Sequence, residues 1–289
     1  MSDALVTSVG AVPGQRRVRR WPTFGVAVSF AILGFVGVCA IIGPLLFGDK
    51  GDEQDLLATF QSPSSAHLLG TDDLGRDVLA RVFVGARSAV IGPVLVALGS
   101  MLVGNALGLT AGYAGGRVEA VIMRLIDFVY SLPALLVGIV VAGVLGGGYL
   151  LAVGILVFVL CPYDARIVHA AVLDQKHRAY VEAARTLGLP GWRIVVRHLL
   201  PNVLPLSIVT AFVNFAYALT LLSSLSFLGL GVPPGQADWG RMLAEARDYL
   251  FENPVAALVP AVMIVSTAAS MNIVGDHFYE RMTARGRAR

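Results

Sequence analysis

Five long stretches of this chain carry no charge at all, and they limit what it can fold into more than any other feature. Residues 23–47, 88–113, 128–163, 199–237 and 254–275 lack Asp, Glu, Lys and Arg altogether. A run such as 24–47 reaches about 36 Å as a helix, enough to cross a ~30 Å hydrocarbon core with some tilt. Only 14% of the 289 residues are charged while 56% are hydrophobic, against about a quarter charged in soluble domains. The lipid bilayer is therefore the expected solvent, and an all-α polytopic membrane protein with about six transmembrane helices the expected fold class.

The polar start of the chain ends in Arg16, Arg17, Arg19 and Arg20. The apolar run behind it is longer than the roughly 7–15 residues of a signal-peptide core, and no small-x-small cleavage pattern follows. It is read as the first span. A helix is expected to begin near Val118, and Gly146-Gly147-Gly148 divides the 128–163 run into spans three and four. Pro205 and Gly231 bracket a fifth span, and 254–275 forms the sixth. The reading in segments is a cytoplasmic tail at 1–22, a first transmembrane helix at 23–47, and an extracytoplasmic loop with an interfacial helix at 48–87. A five-helix core at 88–280 and a cytoplasmic tail at 281–289 complete it.

Orientation follows from where Lys and Arg fall. The Arg16–Arg20 cluster, the Arg117 turn, the 164–197 loop and the C-terminal tail are basic, whereas the 48–87 loop has Lys50, Arg76, Arg81 and Arg87 against seven acidic residues. Both termini are thus expected in the cytoplasm. A net charge of +3 gives no footprint for nucleic acid. Cys39 and Cys161 lie in apolar runs with no metal-ligand spacing and are read as small hydrophobes.

The segment AYVEAARTLGLPGWRIVVRHLLPN, residues 179–202, stands apart. Val181, Ala184 and Leu187 or Gly188 recur on one helical face, and Gly188 with Pro190-Gly191 stops the helix. So short a helix is marginal alone, which points to a soluble partner that holds it. Ala183, Ala184 and Gly188 would let that partner approach the backbone.

Glu182-Ala183-Ala184, then Gly188, then His198-x-Leu200-Pro201, is similar to the EAA loop of bacterial ABC importer permeases. His67 to Asp77 (HLLGTDDLGRD), Leu225 to Val232 (LSFLGLGV) and Trp239-Gly240 resemble the C-type (DppC/OppC-like) permeases of dipeptide and oligopeptide importers. The resemblance implies a type I ABC importer permease fold, with a coupling helix in the EAA loop at about 174–200. It assigns Val181, Glu182, Ala183, Ala184, Leu187 and Gly188 to ATPase coupling, with Glu182 as the charged contact. It also implies a homologous B-type permease, two ATP-binding subunits or one tandem ATPase, and an extracytoplasmic solute-binding protein. The cargo it implies is a short peptide, with nickel or another small solute as the alternative. No Gly-x-x-x-x-Gly-Lys-Ser/Thr run occurs, so ATP and Mg are expected on the partner and no cofactor on this chain. The chain is not expected to be an enzyme: Gly-x-Ser-x-Gly and His-Glu-x-x-His are absent.

Smaller expectations concern single residues. Arg124 and Asp127 are read as an ion pair at helical spacing, with a role in the substrate path as the alternative, Asp72 or Asp73 as the cap of an interfacial helix that leads into span two, and His198 as an interfacial or capping residue. Asn105, Asn214 and Asn272 lie inside spans, where they either bond across helices or line the pathway, and the sequence does not choose between the two. The span centres read as uncharged, which argues against an ion-coupled secondary transporter.

Overall fold

The computed structural model describes residues 23–287; the arginine cluster at 16–20 and the last two residues lie outside the described part. Among the described residues, five helices are long and apolar enough to cross a membrane: α1 (Thr23–Asp52), α2 (Val78–Ala114), α5 (Tyr149–Gln175), α8 (Leu200–Phe227) and α10 (Val255–Arg287). Two shorter helices, α3 (Gly116–Tyr130) and α4 (Ala134–Leu145), bend by 82° at the residues between them and raise the number of crossings to six if they count as one span. Span three is therefore not one helix. Pro133 causes the break, because it disfavours helical geometry in the preceding residue and has no N–H to continue the ladder. Gly146, Gly147 and Gly148 turn the chain into α5 as expected, and all three have positive φ.

The polar connection after α1 is shorter than the sequence suggests. α1 runs on to Asp52 and α2 begins at Val78, ten residues before the uncharged run, so 53–77 alone connects them. This connection holds no interfacial helix. The cap of α2 is Asp77, which accepts from the Ala80 N–H at 2.9 Å, rather than Asp72 or Asp73.

α2 is the spine of the bundle and packs on α1, α5 and α8. Its contact with α5 is made through glycine. A Cβ at Gly104 would lie 2.4 Å from Asp164 Cβ, one at Gly108 2.6 Å from the Ala165 carbonyl oxygen, and one at Gly112 2.7 Å from Val172. Small residues spaced by four let two backbones approach where no water is available to drive association.

At one end of the bundle lie 53–77, the exit of α8 and α9 (Trp239–Ala246). There the buried Arg76 and Arg81 share Glu245, at 3.2 and 3.0 Å, while Arg76 Nε also reaches Asp72 at 2.7 Å. Trp239 donates its indole N–H to the Val82 carbonyl at 2.9 Å. At the other end lie the α2–α3 turn, α6 (Ala179–Thr186), α7 (Gly191–Ile194) and a π-helical turn, Val195–Leu199, that leads into α8.

Candidate functional site

The EAA-like segment folds as the short helix α6, flanked by Arg178 in extended geometry. It ends in a Schellman arrangement: Leu189 N–H bonds to Ala184 O at 3.2 Å, Gly188 N–H bonds to Arg185 O at 2.9 Å, and Gly188 has φ +73°. The six singled-out residues divide between two faces. Val181 and Ala184 are buried against Leu109, Val168, Val172, Ile194, Leu199 and Val203 of the same chain. Glu182, Ala183, Leu187 and Gly188 are exposed, Leu187 at 80%, and nothing lies within 4 Å of where a Gly188 Cβ would sit. Ala184 is thus removed from the expected docking surface. Leu187 does not share the inward face of Val181, because the helix has ended before it.

The helix is fastened to the bundle rather than hung from it. Arg185 lies over the Tyr113 ring at 5.4 Å, Lys176 Nζ donates to the Gly112 carbonyl at 3.1 Å, and Tyr180 donates to Gln175 at 2.8 Å. Beside its free face stands a second exposed patch that the motif did not reveal. Trp192 is 65% exposed, and a shallow depression lined by Leu189, Trp192, Arg193, Val196, Arg197, His198 and Pro201 adjoins it. His198 lies in the π-helical turn, and its carbonyl accepts from the Asn202 side chain at 2.6 Å.

Midway along the spans the bundle holds a polar network. Asp164, expected at the start of a polar loop, is instead buried inside α5. Asn214 of α8 donates to Asp164 Oδ2 at 2.8 Å and to Ser100 of α2 at 3.1 Å. Asn105 accepts from Ser207 at 2.7 Å. Two of the three span asparagines therefore bond across helices, whereas Asn272 is exposed. Among the described residues, no hydrogen bond reaches Asp164 Oδ1. The signal for its burial was the apolar run Ile167-Val168 to Ala170-Ala171-Val172 beyond it, which continues the helical face. Asp127 pairs with Arg166 of α5, not with Arg124, and Arg166 also covers the Tyr130 ring at 4.7 Å. A cavity of about 450 Å³ opens against this network between the α3–α4 break, α5 and α8.

Residues 104–284, which include Asp164, α6 and all of α8, match the family described as the binding-protein-dependent transport system inner membrane component. The chain belongs to this family. Among its relatives, a probable D,D-dipeptide transport system permease of Escherichia coli (strain K12) is 34% identical over 86% of this chain and 83% of its own length. A glutathione transport system permease of Pectobacterium atrosepticum is 36% identical over 75% and 72%. A peptide transport system permease of Brucella abortus is 34% identical over 90% and 87%. This family member is a multi-pass, all-helical permease subunit of an ABC importer, and its place in a binding-protein-dependent system makes it a transport component.

Proposed function

We propose that this permease moves short peptides across the plasma membrane, powered by a separate ATPase that grips α6. The reading is supported by relatives named for dipeptide, glutathione and peptide transport. One observation carries the coupling role: α6 buries Val181 and Ala184 in its own bundle and offers Glu182, Ala183, Leu187 and Gly188 outward. A helix so anchored passes a push on its free face into α2, α5 and α8, whose residues surround its buried side. A partner that binds this face differently in two states biases the equilibrium between them. On this reading ATP and Mg sit on the partner, the α6 end and both termini face the cytoplasm, and a homologous B-type permease completes the pathway. A solute-binding protein delivers cargo at the α9 end.

Reconstitution with the co-purified partners tests it. Glu182→Ala combined with Gly188→Leu should abolish cargo-stimulated ATP hydrolysis while the chain still inserts and keeps its companion permease. Stimulation at the wild-type level in that variant would remove α6 from the coupling path.

A further inference from the structure

The cavity at the α3–α4 break is lined by Tyr130, Tyr163 and Tyr217, together with Pro133, Val213 and Asn214. Tyr163 and Tyr217 lie near the middle of α5 and α8 and are 37% and 51% exposed, and Tyr130 is 49% exposed. Among the described residues, no hydrogen bond engages any of the three hydroxyls. Tyrosine favours the membrane–water interface, where its hydroxyl is wet. A cluster of unengaged hydroxyls midway along two spans is ill suited to lipid and suits a polar occupant.

Asn214 is held in one orientation. Both of its side-chain bonds use Nδ2, directed at Asp164 Oδ2 and Ser100 Oγ, so among the described residues no donor reaches its carbonyl Oδ1, and the residue itself lines the cavity. Asp164 Oδ2 accepts from the amide nitrogen, which makes Asp164 the group that fixes which way the amide points. Asp164 is a positioning residue here.

We propose that this cavity is a contact site for the peptide in transit, with Asn214 Oδ1 and the Tyr163 and Tyr217 hydroxyls meeting peptide N–H and C=O groups. The proposal rests on the peptide reading above. Hydroxyls both donate and accept and Asn214 Oδ1 accepts, so the site addresses the repeating peptide unit and not any one side chain, while the tyrosine rings accept varied side chains. The volume falls within the ~300–1,000 Å³ of small-ligand pockets.

The test uses the whole complex in proteoliposomes with radiolabelled dialanine and tetra-alanine as probes. Val213→Trp narrows the cavity and should lower the tetra-alanine to dialanine uptake ratio by about tenfold. Joint Tyr163→Phe and Tyr217→Phe should cut uptake of both peptides by about fivefold or more while the complex still co-purifies. Leu136→Trp, on an exposed side of α4 away from the cavity, should keep the wild-type ratio. If the wild-type complex moves neither peptide, the peptide reading fails and takes this inference with it. If it moves both and the cavity variants match wild type in ratio and rate, the site is refuted and the peptide reading stands. A Tyr217→Cys variant that cross-links to the partner permease regardless of cargo would also overturn the site, by showing that a protein side chain fills it. Should Val213→Trp fail to assemble, the phenylalanine pair decides.

Discussion

Arg76 and Arg81 are 2% and 1% exposed, and their charges are met by Asp72 and by Glu245 more than 160 residues away in sequence. Removing one member of a buried ion network leaves a charge uncompensated, which costs about 3–5 kcal/mol. Arg81→Met should accordingly lower the thermal midpoint of the detergent-solubilised chain sharply, and adding Glu245→Gln should restore much of it. Asp238 offers a pH test at the same end. It is 5% exposed, and burial pushes its carboxyl up despite bonds from the Ser88 hydroxyl and the Arg241 N–H. The folded chain therefore holds this proton more tightly than the unfolded chain does. Relative to Asp238→Asn, the wild type should lose stability as pH rises from about 4, the ordinary carboxylate range, through the raised value. Thermal midpoints of the two proteins measured across pH, with a difference that stays flat, would contradict this. The sequence displayed these charges but not their partners, because pairing across such separations is decided by how helices meet.

Among the elements, the existence of α6 and its stop were legible because Gly188 and Pro190-Gly191 are strong stop signals with a local cause. The α3–α4 break was not, since three consecutive glycines are a stronger break signal than the single Pro133 earlier in the same uncharged run. The split of α6 into an anchored and a free face was also hidden: periodicity shows which residues share a side, not which neighbour that side meets. The α2–α5 seam is a further element-scale feature with a clear test. Gly108→Leu would drive its side chain into the Ala165 carbonyl and Val168, and forcing extra atoms into a packed interface costs about 1–3 kcal/mol or more. Loss of protease-resistant, monodisperse protein is expected for this variant, whereas Gly34→Leu, where nothing lies within 4 Å, should behave as wild type.

For the whole molecule, the uncharged runs placed the membrane helices before any fold was known, because lipid leaves a backbone so few options. They overstated the polar loops, since α2 and α5 carry Arg81, Arg87, Asp164 and Arg166 within their helices. Orientation is open to direct labelling. Leu187 and Phe251 are 80% and 97% exposed at opposite ends, and Cys39 and Cys161 are buried. In intact cells an impermeant thiol reagent should label Phe251→Cys at once and Leu187→Cys only after the membrane is opened; the reverse order would invert the topology. The glycine seam has one more consequence. Two rods in contact along several turns with no room for even one added carbon have no slack to slide or part, so α2 and α5 must travel together when the transporter cycles. The give that alternating access demands is left to the other side of the bundle, where a proline fracture and a half-open hollow already separate the rods.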